Sequence, residues 1–212
     1  VSHGRFSTAL ITDKIVSKEP PLFAELKHRF PSQWAAGQEE KIHEIMQTIV
    51  EATGIQAGPV VAEFLLAGRK KTPHLVEVSP DPGGEYLADH LFPVVTGRDF
   101  FEEMVRNSSL FLRDYEVEAV TNIGAPHAVI RFIPQKDGKL RELRLPQELF
   151  VHPGFLFANM LRYPGDVTST TAGNSDRLAV FGISADHERA DELEHEVEDF
   201  ARKTIVEYEA GR

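Results

Sequence analysis

Two glutamates on neighbouring apolar segments are the residues in this sequence whose type and spacing most clearly indicate a binding or catalytic site. Glu63 interrupts the apolar run at residues 61–66, and Glu77 interrupts the run at 74–78. Each run predicts a short strand. An acid on the core side of such a strand needs a partner, because a buried unpaired carboxylate is costly. If the turn at residues 67–73 joins the two strands, the carboxylates lie side by side and repel unless they share a proton or a cation.

A hard cation is the partner that this arrangement favours. Mg²⁺ takes oxygen ligands and is usually held by one or two carboxylates together with substrate phosphates. The first hypothesis is therefore a metal–nucleotide site. The alternative is structural: both acids lie on a solvated face, or they pair with Arg69 and Lys70 of the connecting turn.

Composition excludes several classes of protein. The 212 residues suggest one large domain or two lobes, and 42% of them are hydrophobic, which is enough for a core. A net charge of −10 argues against nucleic acid as the main partner, because phosphate backbones require a basic face. No apolar stretch approaches the length of a membrane span. The absence of cysteine excludes disulfides and fits a cytoplasmic protein.

The sequence begins with Val1 rather than methionine and runs directly into a strand-like segment. This start is interpreted as belonging to a fragment or processed piece of a longer protein, with a tag-cleavage scar as the alternative.

Hydrophobic periodicity positions the elements around the two acids. Residues 6–11 and 15–16 predict a hairpin. Residues 38–52 predict a helix, because apolar residues recur at intervals of three and four, and Gly54 follows in the usual C-terminal position. Residues 99–106 predict a second helix.

The second half of the chain predicts further strands and a long helix. Residues 128–133 and 140–143 flank an Asp-Gly pair and predict a hairpin. Residues 177–183 predict a strand, and residues 186–208 predict a helix capped by Ser184 or Asp186. Irregular alternation of strands and helices, with hairpins, favours an α+β fold with an antiparallel sheet over a doubly wound parallel sheet.

Taken together, these segments resemble the C-terminal part of an ATP-grasp ligase. In chain order the matching segments are HRFPS at 28–32, ATGIQAGP at 52–59, AEFL at 62–65, LVEVSPDPGG at 75–84, GRD at 97–99, GD at 165–166, DRLAV at 176–180, and the helix that carries Ala190. No single motif is strong, but their order and spacing together are fairly specific, and they touch most of the chain.

The resemblance implies an ATP-grasp C-terminal lobe, an antiparallel sheet flanked by helices, with a smaller C-terminal α/β element. Residues 1–110 would carry the metal and ATP strands, and residues 111–212 would complete the lobe. The implied activity is a ligase that uses ATP and Mg²⁺ (or Mn²⁺) to activate a carboxylate as an acylphosphate for attack by an amine or ammonia. The implied partners are these small molecules and the N-terminal part of the same enzyme, without which the fragment would be inactive; a homodimer is compatible with it.

Individual roles follow from the same resemblance. The implied metal ligands are Glu63, Glu77 and Ser79. Leu65 would pack on the adenine, while Gly83 and Gly84 would let substrate or phosphate approach the backbone.

Two positions depart from the family pattern E-x-N-x-R. Ser79 stands where the third metal ligand is usually Asn, and Asp81 stands where the family has Arg. Asp81 is therefore either a further catalytic or metal-binding acid, or the mark of an altered site. The candidates to supply the positive charge instead are Arg5, Lys14, His28 and Arg131. A non-catalytic or degenerate lobe that serves for binding or assembly is the second hypothesis. A carboxylase or a carbamoyl-phosphate synthase type of the same superfamily is a third, less favoured one.

Other polar residues receive structural interpretations. His74, His127 and His152 lack the spacing of metal ligands, so no zinc site is expected. Arg131 lies in an apolar strand and needs a partner, for which a structural ion pair and a substrate role are equally good explanations.

Overall fold

The computed structural model describes residues 1–7, 10–19, 23–108 and 126–210. Within them the strands are β1 Asp13–Val16, β2 Glu25–Phe30, β3 Val61–Ala67, β4 Thr72–Ser79, β5 His127–Ile133, β6 Gly138–Arg144, β7 Phe155–Met160, β8 Val167–Thr168, β9 Ala179–Ala185 and β10 Ile205–Tyr208. The α-helices are α1 Glu39–Thr53, α2 Phe92–Thr96, α3 Phe100–Ser108, α4 Gln147–Phe150 and α5 Ala190–Lys203. A π-helical turn covers Leu87–Leu91, and 3₁₀ turns cover Thr170–Asp176 and His187–Arg189.

The chain divides into two compact units. The first contains Val1–Asp13 and Pro31–Ala125, and the second contains Lys14–Phe30 and Pro126–Arg212. A single division at residue 110 would assign Lys14–Phe30 to the first unit. The structure assigns it to the second because β2 pairs with β5 of that unit.

The first unit is built on α1, whose predicted extent and ending are confirmed. Ile42, Met46 and Val50 are buried along one face of the helix. Gly54 follows in the left-handed conformation (φ 72°), and its N–H donates to the Val50 carbonyl at 3.0 Å. This ending needs a positive φ, which glycine adopts without a steric penalty.

The hairpin of β3 and β4 packs on the buried face of α1. Ala62, Phe64 and Leu66 alternate along β3 and contact the cluster formed by Ala35, Ile42 and Met46. Because side chains alternate across a strand, the odd-numbered residues of β3 occupy the opposite face. Glu63 and Leu65 are therefore on the face that does not pack on α1.

The second unit contains a five-stranded sheet in the order β1-β2-β5-β9-β7 and a three-stranded sheet in the order β10-β6-β8. The ladders that join β2, β5, β9 and β7 are antiparallel. Leu193, Val197 and Phe200 of α5 are buried in its core. The α+β class with antiparallel sheets and flanking helices is confirmed. None of the described helices is both long and apolar enough to cross a membrane.

The predicted hairpin of 128–133 and 140–143 is wrong. In the structure β5 pairs with β2 and β9, whereas β6 pairs with β8 and β10. The connecting segment is held elsewhere: the Gln135 amide donates to the Gly173 carbonyl at 2.8 Å, and Asp137 accepts from the Thr170 N–H at 2.6 Å. These contacts direct β6 into the second sheet.

The predicted helix over 186–208 is too long at both ends. Asp186 precedes a 3₁₀ turn and makes no capping hydrogen bond with its side chain, and α5 begins only at Ala190. At the other end the chain leaves the helix at Thr204, and β10 pairs with β6. The β-branched run Thr204, Ile205, Val206 favours a strand, because such side chains are restricted in a helix.

The predicted strand over 6–11 is absent from its described positions. Residues 6, 7, 10 and 11 have no assigned secondary structure, and residues 8–9 lie outside the described part of the chain. The second predicted strand, at 15–16, corresponds to the end of β1.

Candidate functional site

Glu63 and Glu77 are direct partners in the β3–β4 ladder. The register pairs Glu63 with Glu77 and, two residues away, Val61 with Ser79. Direct partners in an antiparallel pair project from the same face of the sheet. The two carboxylates and the Ser79 hydroxyl therefore share the face that does not pack on α1. Glu63 is partly buried, and Glu77 is exposed.

A β-bulge follows this pair of acids. The register shifts between Glu63 and Phe64, which leaves Val76 as the extra residue on β4. Bulges bend a strand and re-aim side chains, and they are frequent beside active sites. Leu65, two residues after Glu63 on the same face, is 66% exposed. An apolar side chain thus lies open to solvent beside the acids.

Asp81 shapes the loop that leaves β4. Its carboxylate accepts a short hydrogen bond from the Ser79 hydroxyl and a second, at 2.7 Å, from the Gly83 N–H. These hydrogen bonds, the one from Ser79 first, lower the pKa of Asp81 although the side chain is almost fully exposed. The Ser79 hydroxyl donates a hydrogen bond to Asp81, which leaves the lone pairs of the Ser79 oxygen available to a cation.

The loop itself has a strained backbone. Gly83, Glu85 and Tyr86 all have positive φ, at 74°, 62° and 65°. A Cβ on Gly83 would lie 3.3 Å from Val61 Cγ2, so glycine also permits the close approach of the loop to β3. Non-glycine residues with positive φ are uncommon, and they cluster at functional sites. The sequence interpretation did not single out Glu85 or Tyr86, since only their position after Gly-Gly points to them.

A π-helical turn, Leu87–Leu91, follows directly. Such turns are rare and are often found at functional sites. Beside it lies an open cavity of about 360 Å³. The cavity is lined by Gly83, Gly84, Glu85, Tyr86, Ala88, Asp89 and Phe101. The walls of this cavity therefore combine the predicted glycine loop with the carboxylates of Glu85 and Asp89 and the rings of Tyr86 and Phe101. All of these residues belong to the first unit.

The residues considered as sources of positive charge are distributed over both units. Arg5 is exposed in the N-terminal turn of the first unit, where its backbone bridges to Ser2. His28 lies in β2 of the second unit and is 4% exposed. Lys14, also in the second unit, forms an ion pair with Glu25.

Arg131 belongs to an ion-pair network between the five-stranded sheet and α5. Its guanidinium lies 3.3 Å from Glu198 and donates to the Leu26 carbonyl at 3.1 Å. Lys27 lies 3.2 Å from the same carboxylate and also pairs with Glu194. Of the two explanations considered for Arg131, the structural ion pair is the one that the structure shows.

Neither a family model nor a curated protein sequence matches this chain. Solved structures do. An L-amino acid ligase from Bacillus licheniformis superposes with a TM-score of 0.80 at 21% identity, over 99% of this chain and 50% of its own. Phosphoribosylglycinamide synthetase from Anaerococcus prevotii gives 0.69 at 11% identity, over 93% and 48%. The biotin carboxylase domain of 2-oxoglutarate carboxylase from Hydrogenobacter thermophilus, a dimer with Mg·ADP and bicarbonate, gives 0.62 at 12%, over 97% and 44%.

These neighbours are ATP-grasp enzymes, and the resemblance suggested by the sequence motifs is confirmed at the level of the fold. This chain spans about half the length of each of the three structures. At such low identity the likeness concerns the fold. The roles of individual residues therefore rest on their own geometry.

Proposed function

We propose that this chain is part of an ATP- and Mg²⁺-dependent ligase that activates a carboxylate as an acylphosphate for attack by an amine or ammonia. The observation that carries the proposal is the direct pairing of Glu63 with Glu77 on the open face of the hairpin, with Ser79 next on the same face. The fold shared with ATP-grasp ligases supports the kind of reaction.

The donor set fits a hard cation. Two carboxylates and one hydroxyl supply only oxygen, which is what Mg²⁺ prefers, and an Mg²⁺ site usually leaves positions for phosphate oxygens and water. In the proposed complex Glu63, Glu77 and Ser79 hold the ion. When bound, Mg²⁺ would neutralise charge on the ATP phosphates. Leu65, exposed on the same face, would supply an apolar surface to the adenine.

The proposed reaction has two steps. A substrate carboxylate oxygen attacks the γ-phosphorus of ATP, forming an acylphosphate and releasing ADP. The amine nitrogen then attacks the acyl carbon, the C–O bond to phosphate breaks, and an amide, inorganic phosphate and a proton result. Phosphoryl transfer depends mainly on positioning and charge stabilisation. The chain contributes to positioning through the loop at Gly83 and Gly84, whose backbone a substrate in the adjacent cavity can approach.

Stabilisation of the transferring phosphoryl group also needs positive charge. Asp81 does not supply it, because its side chain is a carboxylate. That carboxylate accepts hydrogen bonds from Ser79 and Gly83. Arg5, which belongs to the same unit as the β3–β4 hairpin, keeps its proposed catalytic role as a source of that charge. The catalytic role that the sequence resemblance implies for His28 stays a prediction. We also assign part of it to the portion of the enzyme that corresponds to the half of the neighbours' length not spanned here.

The test is Mg·ATP binding, measured by calorimetry on the longest protein that contains this chain. Glu77→Gln keeps the size of the side chain and removes a ligand charge, so affinity for Mg·ATP should fall at least about tenfold. Glu40→Gln, on the exposed first turn of α1, is the matched control and should bind as the parent does. Equal affinity of parent and Glu77→Gln would refute the assigned metal site.

A second candidate function is a non-catalytic ATP-grasp lobe that serves for binding or assembly. It is favoured by the mutual hydrogen bond of Ser79 and Asp81, which gives both departures from the family pattern a structural use. Asp81→Asn and Ser79→Ala separate the two hypotheses in a ligase assay of the whole protein. If both variants retain parental turnover, the non-catalytic hypothesis gains; a loss of turnover with binding retained supports the ligase.

A further inference from the structure

The open cavity beside the π-helical turn has charged walls of a single sign. Of the seven described residues that line it, Glu85 and Asp89 carry a charge, and the others are two glycines, an alanine and two aromatic residues. The side chain of Asp89 is 48% exposed, so its carboxylate is accessible to a molecule that enters from solvent. Such walls attract a positively charged group and repel an anion.

The neighbouring cations of the same unit have acidic partners of their own. Arg98 lies 3.0 Å from Glu103, and Arg106 of α3 pairs with Glu102. Neither arginine is among the residues that line the cavity. Nε2 of His90 lies 3.8 Å from Asp89, which is longer than a hydrogen bond. The carboxylates of the wall therefore keep the capacity to bind a cationic ligand.

The backbone of the adjoining loop does not compensate with donors for an anion. Loops that bind anions do so through backbone N–H groups. Here the Gly83 N–H donates to the Asp81 carboxylate at 2.7 Å, and the Leu87 N–H donates to the Gly84 carbonyl at 3.2 Å. Two N–H groups of this glycine loop are thus used within the loop itself.

The size and the apolar part of the walls indicate an organic occupant. The cavity has a volume of about 360 Å³, whereas a single water molecule occupies about 30 Å³ in the liquid. Ammonia, which is as small as water, would leave most of it unfilled. Tyr86 and Phe101 supply rings, Phe101 is 43% exposed, and the buried Ala88 adds an apolar wall. Aromatic rings beside carboxylates suit an organic cation, which the rings also attract.

We propose that this cavity binds a protonated nitrogen of an organic substrate, and that the nitrogen which attacks the acylphosphate is a different one. The inference rests on the proposed ligase function. An amine reacts through its lone pair, but neighbouring carboxylates favour the protonated form, which has no lone pair. A nitrogen bound by Glu85 and Asp89 therefore anchors the molecule and does not react.

Two kinds of substrate carry such an anchoring group. One is an acyl acceptor with two amino groups, such as a diamine or a basic amino acid. The other is an amino acid that supplies the carboxylate and is held by its ammonium group. In both cases the substrate is an organic cation, and ammonia is not the molecule for which this cavity is built.

The experiment is calorimetry on the longest protein that contains this chain, with a chelator and without ATP. 1,4-Diaminobutane should bind, and 1,4-butanediol, which has the same length without charge, should bind at least about tenfold more weakly. Asp89→Asn and Glu85→Gln keep the size of the side chain and should each weaken diaminobutane binding about tenfold. Glu102→Gln removes an exposed acid of α3 outside the cavity and should leave the affinity unchanged. Parental affinity in both cavity variants would overturn the proposal.

Two further measurements separate the sources of the cation and the two proposals. 4-Aminobutanoate is the probe for a carboxylate donor: if it binds more tightly than 1,4-diaminobutane, and Asp89→Asn weakens it, the anchored molecule is the donor; the reverse order assigns it to the acceptor. Glu77→Gln should bind diaminobutane as the parent does, and Asp89→Asn should bind Mg·ATP as the parent does. Mg·ATP binding without diaminobutane binding overturns the anchor alone, whereas the opposite result overturns the metal site and leaves the cation site in place.

Discussion

Replacing Glu77 with glutamine should have opposite effects on stability with and without metal. The parent places two carboxylates directly opposite each other on one face of the β3–β4 hairpin. Without a cation they repel, so Glu77→Gln should stabilise the chain. In the proposed Mg²⁺ complex the same carboxylates are ligands, and the substitution should remove the stabilisation that the ion provides.

The magnitude follows from the register. Direct cross-strand partners have Cβ atoms roughly 5 Å apart, and two unit charges at about 5 Å in water interact by about 0.8 kcal/mol. For a chain of this size, 1 kcal/mol corresponds to about 2–4 °C in Tm. Glu77→Gln should therefore raise Tm by roughly 2 °C in the presence of a chelator at low salt. Raising the salt to about 1 M, where the Debye length is about 3 Å, should remove most of this gain.

The assay is thermal unfolding of parent and variant in parallel, with chelator and then with a series of Mg²⁺ concentrations. The Tm of the parent should increase with Mg²⁺, and that of Glu77→Gln should remain nearly flat, so the two curves should cross. Glu40→Gln is the control: it removes an acid from the first turn of α1, where the helix dipole favours negative charge. It should lower Tm slightly and leave the response to Mg²⁺ intact. Parallel Mg²⁺ curves for parent and Glu77→Gln would refute the reasoning.

Three further outcomes follow from the described contacts. Gly154→Ala should destabilise the chain by about 3 kcal/mol or more in urea unfolding, because its Cβ would lie 1.7 Å from the Ser184 carbonyl oxygen. Burial raises the pKa of Glu198, but the neighbouring cations Arg131 and Lys27 lower it by more, so the net pKa lies below its ordinary value of 4.5. The stability that Glu198 contributes to the fold should be present above pH 4.5 and be lost as the pH falls through the lower pKa of the folded state. Asp81→Ala should accelerate hydrogen exchange of the Gly83 amide at least several-fold, because the amide loses its acceptor.

Each of these has its own comparison. Gly84→Ala adds a Cβ with nothing within 4 Å, so it should be nearly neutral; similar losses for both glycines would contradict the packing argument. Glu198→Gln should show a flatter stability profile below pH 5 than the parent, and an unchanged slope would remove Glu198 from the network. Asp81→Asn keeps an acceptor oxygen for Gly83 and should exchange more slowly than Asp81→Ala.

The acidic face could be predicted because its determinants are local. Apolar runs of the right length around a turn favour a hairpin, and the period of two assigns Glu63 to the face opposite Phe64. The helix α1 could also be predicted from the sequence, since its apolar periodicity and the following Gly54 indicate the same C-terminal end. The bulge at Val76 and the positive φ of Glu85 and Tyr86 were not, because no local propensity favours them and the surrounding packing must stabilise them.

The two wrong predictions, the hairpin of 128–133 and 140–143 and the full length of the helix over 186–208, involve contacts between distant segments. An Asp-Gly pair is a strong hairpin signal, yet Asp137 binds Thr170 and Gly138 packs against Tyr208, both far along the chain. Likewise the apolar spacing of Ile205 and Tyr208 continues the helical period, although both residues lie in β10. His127 and His187 follow the same principle: their ring nitrogens lie 3.0 Å apart although the residues are 60 positions apart. Which strand ends meet depends on the topology of the sheet rather than on sequence spacing.

Asp81 makes contacts that an arginine at the same position could not make. An arginine at this position would direct a cation at the reacting groups, but it would not accept the Gly83 N–H or the Ser79 hydroxyl. An aspartate does both, and the loop that it shapes is the one with a strained backbone and an adjoining cavity. The negative charge also lies close to Ser79, which makes the proposed metal face more acidic. In the proposed site this added charge favours cation binding, and the positive charge for the proposed phosphoryl transfer has to come from a different residue.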